Sequence, residues 1–341
     1  MSSEETGTSP HDAVSYEALF TLNEPELAFF QSQTGIQDAD QLKQHIVKVQ
    51  TEALKVTPYT TIKTFAFTKL VASRAVPGYS HAIQFIKDRK DAIWLDAGCC
   101  CAYTNCSWPR PLCLTVQHAV GVDVRKAVAD GMTVENAIGT DLYPEYWSLG
   151  HQLFKTTPES YPAHFFGGDI FDENLLKAGP ILDTGATPES PRPELASSKS
   201  LTPLNGHVSV IHTSSFFHLF TEKEQLVLAQ KMAGLLSPVP GSTIFGMHAG
   251  LAVKGFRTDR NRRDGSFNFC HSPESWKELW DGVIFKKGMV KVEAALRDAV
   301  DLLDMRGYKD ALIGQSMADA TQRSTGPPSA PIFMLWSVTR L

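Results

Sequence analysis

No stretch of the sequence approaches the 18 or so uninterrupted apolar residues that a membrane-spanning helix needs, which argues against a membrane partner. The formal net charge is only −5, so there is no electrostatic reason to expect nucleic acid or an anionic membrane surface as a partner. Cysteines are nearly absent outside one stretch. Five of the six (Cys99, Cys100, Cys101, Cys106 and Cys113) crowd together, in neither a distributed disulfide framework nor a zinc-ligand spacing, and no metal is expected. The string G-x-G-x-x-G is also missing, which counts against a dinucleotide-dependent dehydrogenase. The first residues, "MSSEETGTSPHDAVSYEALF", are polar and acidic where a secretory leader is basic and then apolar, so a cytoplasmic protein with a disordered tail over 1–16 is expected.

What is present is an alternation of elements. "LNEPELAFFQSQTGI" and "DADQLKQHIVKVQTEALKV" read as helices, the second with Asp38 or Asp40 as N-cap and Leu42, Ile46, Val49 and Leu54 on its apolar face. Helical patterning continues to Asp91, which defines an N-terminal helical cap over 17–91. Short apolar runs then recur between helical stretches: "AIWLDAG", "NAIGTDL", "AHFFGGDIF", "HVSVIHTSS", "STIFGMHAG" and finally "APIFMLWSVTRL". Alternating strand and helix predicts an α/β fold, a Rossmann-like, mostly parallel sheet wound on both faces, over 92–341. The Pro- and Ser-rich segment 183–206 reads as a mobile surface loop, and "KGFRTDRNRRDGS" as a solvated basic loop.

Three acids fall at the ends of the first three strands, where open α/β sheets place their ligands. Asp96 closes the first, before Gly98. Asp141 closes the second, where a carboxylate can accept both hydroxyls of a ribose. Asp169, followed by apolar Ile170 and Phe171, follows the third, where it can meet an adenine amino group while its two neighbours flank the ring. A strand, an acid and a short glycine turn without a pyrophosphate cradle suit S-adenosyl-L-methionine. A strand candidate at the far C-terminal end suits the last, antiparallel strand of a methyltransferase sheet.

The strings "ELAFFQSQTGI", "LDAGCC", "VRKAVADG", "GTDLYPEYWSLGHQLF", "DIFDENLL", "SSFFHLF" and "HSPESWKELW" resemble the fungal class I methyltransferases of polyketide, terpenoid and meroterpenoid pathways, over roughly 24–341. The resemblance implies a seven-stranded sheet, S-adenosyl-L-methionine as methyl donor, and a secondary metabolite as acceptor. Methyl esterification of a carboxylate is the activity it points to. It places Gly98, Cys99 and Gly121 in the cofactor turn, and adds Leu142, Ile170 and Thr213 to Asp96, Asp141 and Asp169 as cofactor contacts. A hydrophobic acceptor, an acid, is the expected partner; a phenol or alcohol acceptor and a degenerate protein that only binds ligand are the alternatives.

One stretch departs from the family pattern. "GCC" ends at Cys100 and "VGVDVRKAVADG" resumes at Val120, so Cys101–Ala119 has no counterpart. The genetic code permits these residues to be a translated intron. Cys101-Ala102-Tyr103 can encode a splice donor, Cys113-Leu114-Thr115 a branch point and Ala119-Val120 an acceptor. Excision keeps the frame and joins a phenylalanine codon, giving "LDAGCCFGVDVRKAVADG". The competing reading is a genuine loop.

A carboxylate acceptor is already ionised at neutral pH and needs no base, whereas a phenol or alcohol needs one, most simply a histidine. His212, His218, His248 and His271 lie near strand ends. His212 and His218 are the candidates to orient the acceptor. Phe216 and Phe217 can wall it, and the N-terminal helices, with Tyr59 and Phe65, are expected to cover its pocket.

Overall fold

The computed structural model describes residues 16–57, 60–99, 120–261, 267–298, 302 and 332–341. The expected tail up to residue 15, Tyr59, Cys101–Ala119 and the last five residues of the basic segment 254–266 lie outside these described residues, while Gly255–Asn261 of that segment, expected as loop, forms a strand.

Helix α1 (Glu24–Thr34) starts at a capping box in which the Asn23 side chain accepts from the Glu26 N–H and Glu26 accepts from the Asn23 N–H. It ends at Gly35, in the left-handed region at φ 73°. Helix α2 (Ala39–Val56) is capped by Asp38, whose carboxylate accepts from the Gln41 N–H at 2.9 Å. Leu42, Ile46, Val49 and Ala53 form its buried stripe. Ala53, rather than the half-buried Leu54, completes that face. The expected continuous helix after Thr60 is broken: α3 (Thr60–Lys63) stops before Phe65, which adopts φ 57°. Phe65 packs against Phe20 and Phe67 inside the helical core. A buried ion pair, Lys69 Nζ to Glu26 at 2.9 Å, ties this region to α1.

Helices α4 (Val71–Ala75) and α5 (Pro77–Lys87) bury their apolar faces on the sheet, in one cluster with Trp94, Phe245, Met247 and Leu335. Strand β1 (Trp94–Ala97) follows, then α6 (Val122–Ala129), β2 (Ala137–Asp141), α7 (Pro144–Leu153), β3 (His164–Gly167), β4 (Val210–His212), α8 (Glu222–Leu235) and β5 (Thr243–Ala249). A hairpin, β6 (Gly255–Asn261) and β7 (Phe267–Cys270), precedes α9 (Pro273–Trp280), β8 (Val290–Asp298) and β9 (Ile332–Arg340).

The seven-stranded sheet runs β3-β2-β1-β4-β5-β9-β8. Strands β1 to β5 pair in parallel, and β9 is antiparallel to both β5 and β8. The expected Rossmann-like α/β sheet with an antiparallel C-terminal strand is therefore present. Strand order reverses between β1 and β4, the place where such sheets open a ligand crevice. One face packs on α4 and α5, the other on α8 and α9. Helices α1 and α2 build a third cluster with α7 through Phe29, Phe30, Leu149 and Phe154. Segment 183–206 holds no strand or α-helix, yet Leu195, Leu201 and Leu204 are buried in the main core, so apolar anchors pin its second half to the protein.

Candidate functional site

A cleft opens over the C-terminal ends of β1, β2 and β3. It is lined by Gly98, Thr140, Asp141, Leu142 and Gly168 on the strand ends and by Asp169, Ile170 and Phe171 just beyond β3. Phe216, Leu219, Phe220 and Glu224, between β4 and the start of α8, form the opposite wall.

The chain makes this cleft by three tight turns. Gly98 leaves β1 at φ 74°, a left-handed conformation that glycine adopts without strain, and the Gly98 and Cys99 N–H groups both donate to the Thr140 carbonyl. An Asp141 oxygen accepts from the Tyr143 N–H at 3.1 Å, which fixes the turn into α7. Asp169 repeats the device, accepting from the Phe171 N–H at 2.9 Å. Phe171 and Phe216 each meet Phe220 edge to face, at 4.9 and 5.1 Å between centroids. The result is a slot with Asp141 and Asp169 on one rim and, opposite, a largely aromatic wall that also carries Glu224.

Of the residues predicted from sequence, the cleft brings together Gly98, Asp141, Leu142, Asp169 and Ile170. Asp96 does not reach it. The β1–β4 register sets Asp96 beside His212, and the Asp96 carboxylate meets His212 Nδ1 at 2.9 Å with both side chains buried. Cys99 is buried in the helical core, close behind Gly139. Gly121, at φ 67°, begins α6 against Trp147. Thr213 and His218 are fully buried off the cleft lining, and of the two phenylalanines Phe216 lines it while Phe217 sits in the core. Phe171, expected beside Ile170 after Asp169, lines the cleft as well. Leu219, Phe220 and Glu224 were not foreseen, and they converge only through packing.

Behind the cleft, His212 joins a polar chain. Its Nδ1 faces Asp96, its Nε2 lies 2.8 Å from Ser214 Oγ, and Asp123 in the first turn of α6 stands close by. Ligand-type atoms of Asp96, Asp123 and His212 all lie within 4.8 Å of one another, although Nδ1 is already engaged by Asp96. Burial pushes the His212 pKa down, but the Asp96 charge and hydrogen bond, with Asp123 behind, outweigh it and hold it above the ordinary histidine value. His248 and His271 are the opposite case. Burial, reinforced by neighbouring histidines, depresses His248 well below the usual range, and burial brings His271 to about 4. His218 Nδ1 accepts from the Ala249 N–H at 3.3 Å.

Comparison with known proteins places this architecture in context. Residues 15–68 match the family model of the meroterpenoid methyltransferase N-terminal domain. The O-methyltransferase phiE of a fungus is 29% identical over 82% of this chain and 78% of its own length. The methyltransferase ausD of Aspergillus calidoustus is 25% identical over 83% of this chain and 82% of its own. The asnovolin E/chermesin D methyltransferase nvfJ of Aspergillus novofumigatus is 26% identical over 77% of each. Among the described residues, no helix is long and apolar enough to cross a membrane.

Proposed function

We infer that this chain is an S-adenosyl-L-methionine-dependent methyltransferase of the fungal secondary-metabolite type, one that methylates a carboxylate oxygen and releases a methyl ester. The observation that carries the reading is the cleft at the strand-order reversal, with Asp141 and Asp169 on one rim and aromatic rings opposite. The donor set suits the cofactor. All five line the cleft, which supports Asp141 as acceptor for the ribose hydroxyls, Asp169 for the adenine amino group, and Leu142, Ile170 and Phe171 as apolar contacts of the purine. Gly121 opens α6, whose first turn has no side-chain cap, so its N–H groups suit the amino-acid carboxylate. Thr213 extends the same contact from the end of β4. When bound, the cofactor supplies a methyl group activated by a sulfonium, which the acceptor oxygen takes as the carbon–sulfur bond breaks and its electron pair stays on sulfur.

The acceptor class follows from what the histidines can do. A phenol or alcohol must lose a proton, and a useful base titrates near the working pH. His212 has both ring nitrogens engaged, by Asp96 and by Ser214, His248 and His271 are held well below the ordinary histidine range, and His218 Nδ1 is already an acceptor. None of the four is poised as a base, and a carboxylate needs none. What these residues contribute is placement of the two reactants, which is worth several orders of magnitude in rate.

Calorimetry and turnover with S-adenosyl-L-methionine test this reading, using an organic acid and its matched alcohol as acceptors. The acid is expected to be methylated and the alcohol not; preferential methylation of the alcohol overturns the carboxylate assignment. Asp141→Asn keeps the Tyr143 hydrogen bond but removes the charge. It is expected to weaken cofactor binding by about 10- to 100-fold, the worth of hydrogen bonds to a charged group. Unchanged affinity would remove Asp141 from the ribose site.

A further inference from the structure

Three hydroxyl residues follow β4 in succession, Thr213, Ser214 and Ser215, and they are only 1, 2 and 0% exposed. Among the described residues, Thr213 Oγ1 and Ser215 Oγ make no hydrogen bond, and the partner of Ser214 Oγ is His212 Nε2. Buried hydroxyls without acceptors are costly, and here two of them flank a third whose partner is a histidine. The segment is also rigid. Thr213 and Ser215 donate their N–H groups to the carbonyls of Phe245 and Met247 on β5. A side chain at Gly246 would place its Cβ 1.8 Å from the Thr213 carbonyl oxygen, so the strands touch there. Ser215 is held at φ 54°, a conformation that only surrounding structure can impose on a non-glycine residue. Strain and unspent donors together mark a crest built ahead of time for a ligand.

Its position says which ligand. The cleft with Asp141 and Asp169 lies over β1, β2 and β3, and Phe216, the residue after the hydroxyl row, is on its far wall. The crest of β4 is thus on the other side of the reversal from the nucleoside side. The chain Asp96 Oδ1 to His212 Nδ1, then His212 Nε2 to Ser214 Oγ, has the connectivity of a hydrolase triad. Here Asp96 at Nδ1, with Asp123 close by, favours the charged imidazole, in which both ring nitrogens carry hydrogens and Nε2–H faces Ser214 Oγ rather than taking its proton. Ser214 is left with a hydroxyl hydrogen to give, backed by a cation.

We propose that Ser214 binds the acceptor, donating its hydroxyl hydrogen to a carboxylate oxygen of that substrate, while Asp96 and His212 act through Ser214 as positioning residues. This rests on the methyl-ester reading above. The test uses the full chain, with farnesoate as the acid probe and farnesol as its neutral counterpart. Binding is measured by calorimetry on protein loaded with S-adenosylhomocysteine, and turnover with S-adenosyl-L-methionine. Ser214→Ala is expected to raise the KM and weaken the binding of farnesoate about tenfold or more, with cofactor affinity within about twofold of wild type. Ser214→Thr, which keeps the hydroxyl, is expected to recover most of the loss. Asp96→Asn is expected to raise the farnesoate KM in the wild-type background and to add little in the Ser214→Ala background, a coupling that mere destabilisation would not produce.

Ser214→Ala with wild-type farnesoate binding and KM overturns the proposal, as does a parallel loss of acid affinity, cofactor affinity and melting temperature. A wild-type protein that binds cofactor but neither binds nor methylates farnesoate overturns it while leaving the methyltransferase reading standing. Failure of the wild-type protein to bind cofactor at all sinks both, and is read separately.

Discussion

A chain lacking Cys101–Ala119, with phenylalanine in place of Val120, is expected to bind S-adenosyl-L-methionine at least tenfold more tightly than the full-length chain. In the proposed reading, the grip on the cofactor has two halves. One is the turn after β1, where Gly98 and Cys99 close onto the Thr140 carbonyl, and the other is the start of α6 at Gly121. In the family pattern these are adjacent, so the strand and helix hold the turn between them; here the extra stretch separates them in sequence. The junction carries a mark of poor fit. Val120 sits at φ 65°, where a β-branched residue is a rare outlier, and its carbonyl lies so close to Gly150 that a Cβ there would be 2.5 Å away. Strain of this kind costs about 1–3 kcal/mol, and 1.4 kcal/mol is tenfold in affinity. Calorimetry on the two proteins measures the difference, and equal dissociation constants would refute the idea that the stretch impairs the site. Sequencing the mature transcript decides its origin, with loss of these codons as the expected result and their retention as the refutation.

Much of the fold was legible because it rests on patterns local to the chain. Six strands of the main sheet are short apolar runs, four of them ending near a glycine or an acid, and such runs are readable one at a time. Strand β8 was not. "VKVEAALRD" pairs with β9 along its whole length, but it is an edge strand whose Lys291, Glu293 and Arg297 dilute the apolar signal. The site divides in the same way. Asp141 and Asp169 line the cleft because each caps the turn leaving its own strand, a purely local event. Asp96 has the same sequence signature and a different fate. Whether a strand-end acid faces ligand or protein depends on which residue the next strand sets beside it, and β4 sets a histidine there. Register between strands far apart in the sequence leaves no trace in either one alone. Phe220 and Glu224 were hidden for a related reason, since they reach the cleft only when the start of α8 packs across from β3.

The fate of Asp96 leads to a second large effect, on stability against pH. The folded protein keeps His212 protonated above the pH at which the unfolded chain releases that proton, near 6.5. The stabilisation is therefore complete below about 6.5 and is lost as pH rises through the higher folded-state value. Asp96→Asn retains an oxygen for Nδ1 but removes the charge. Burial, the largest influence on His212 and the one that disfavours the cation, then prevails, and the ring folds neutral. The variant must release a proton to fold in acid where wild type gains from holding one. Removing one partner of a buried pair costs about 3–5 kcal/mol, so with the hydrogen bond kept a loss of about 3 kcal/mol is expected at pH 6. That loss should shrink as pH rises through the folded-state value of His212, because wild type is then giving up the same interaction. Urea unfolding of both proteins from pH 5.5 to 9 measures the difference, in which titrations common to the two cancel. A penalty constant across that range would mean that Asp96 acts on His212 by shape and hydrogen bonding alone, and that no charge is held between β1 and β4.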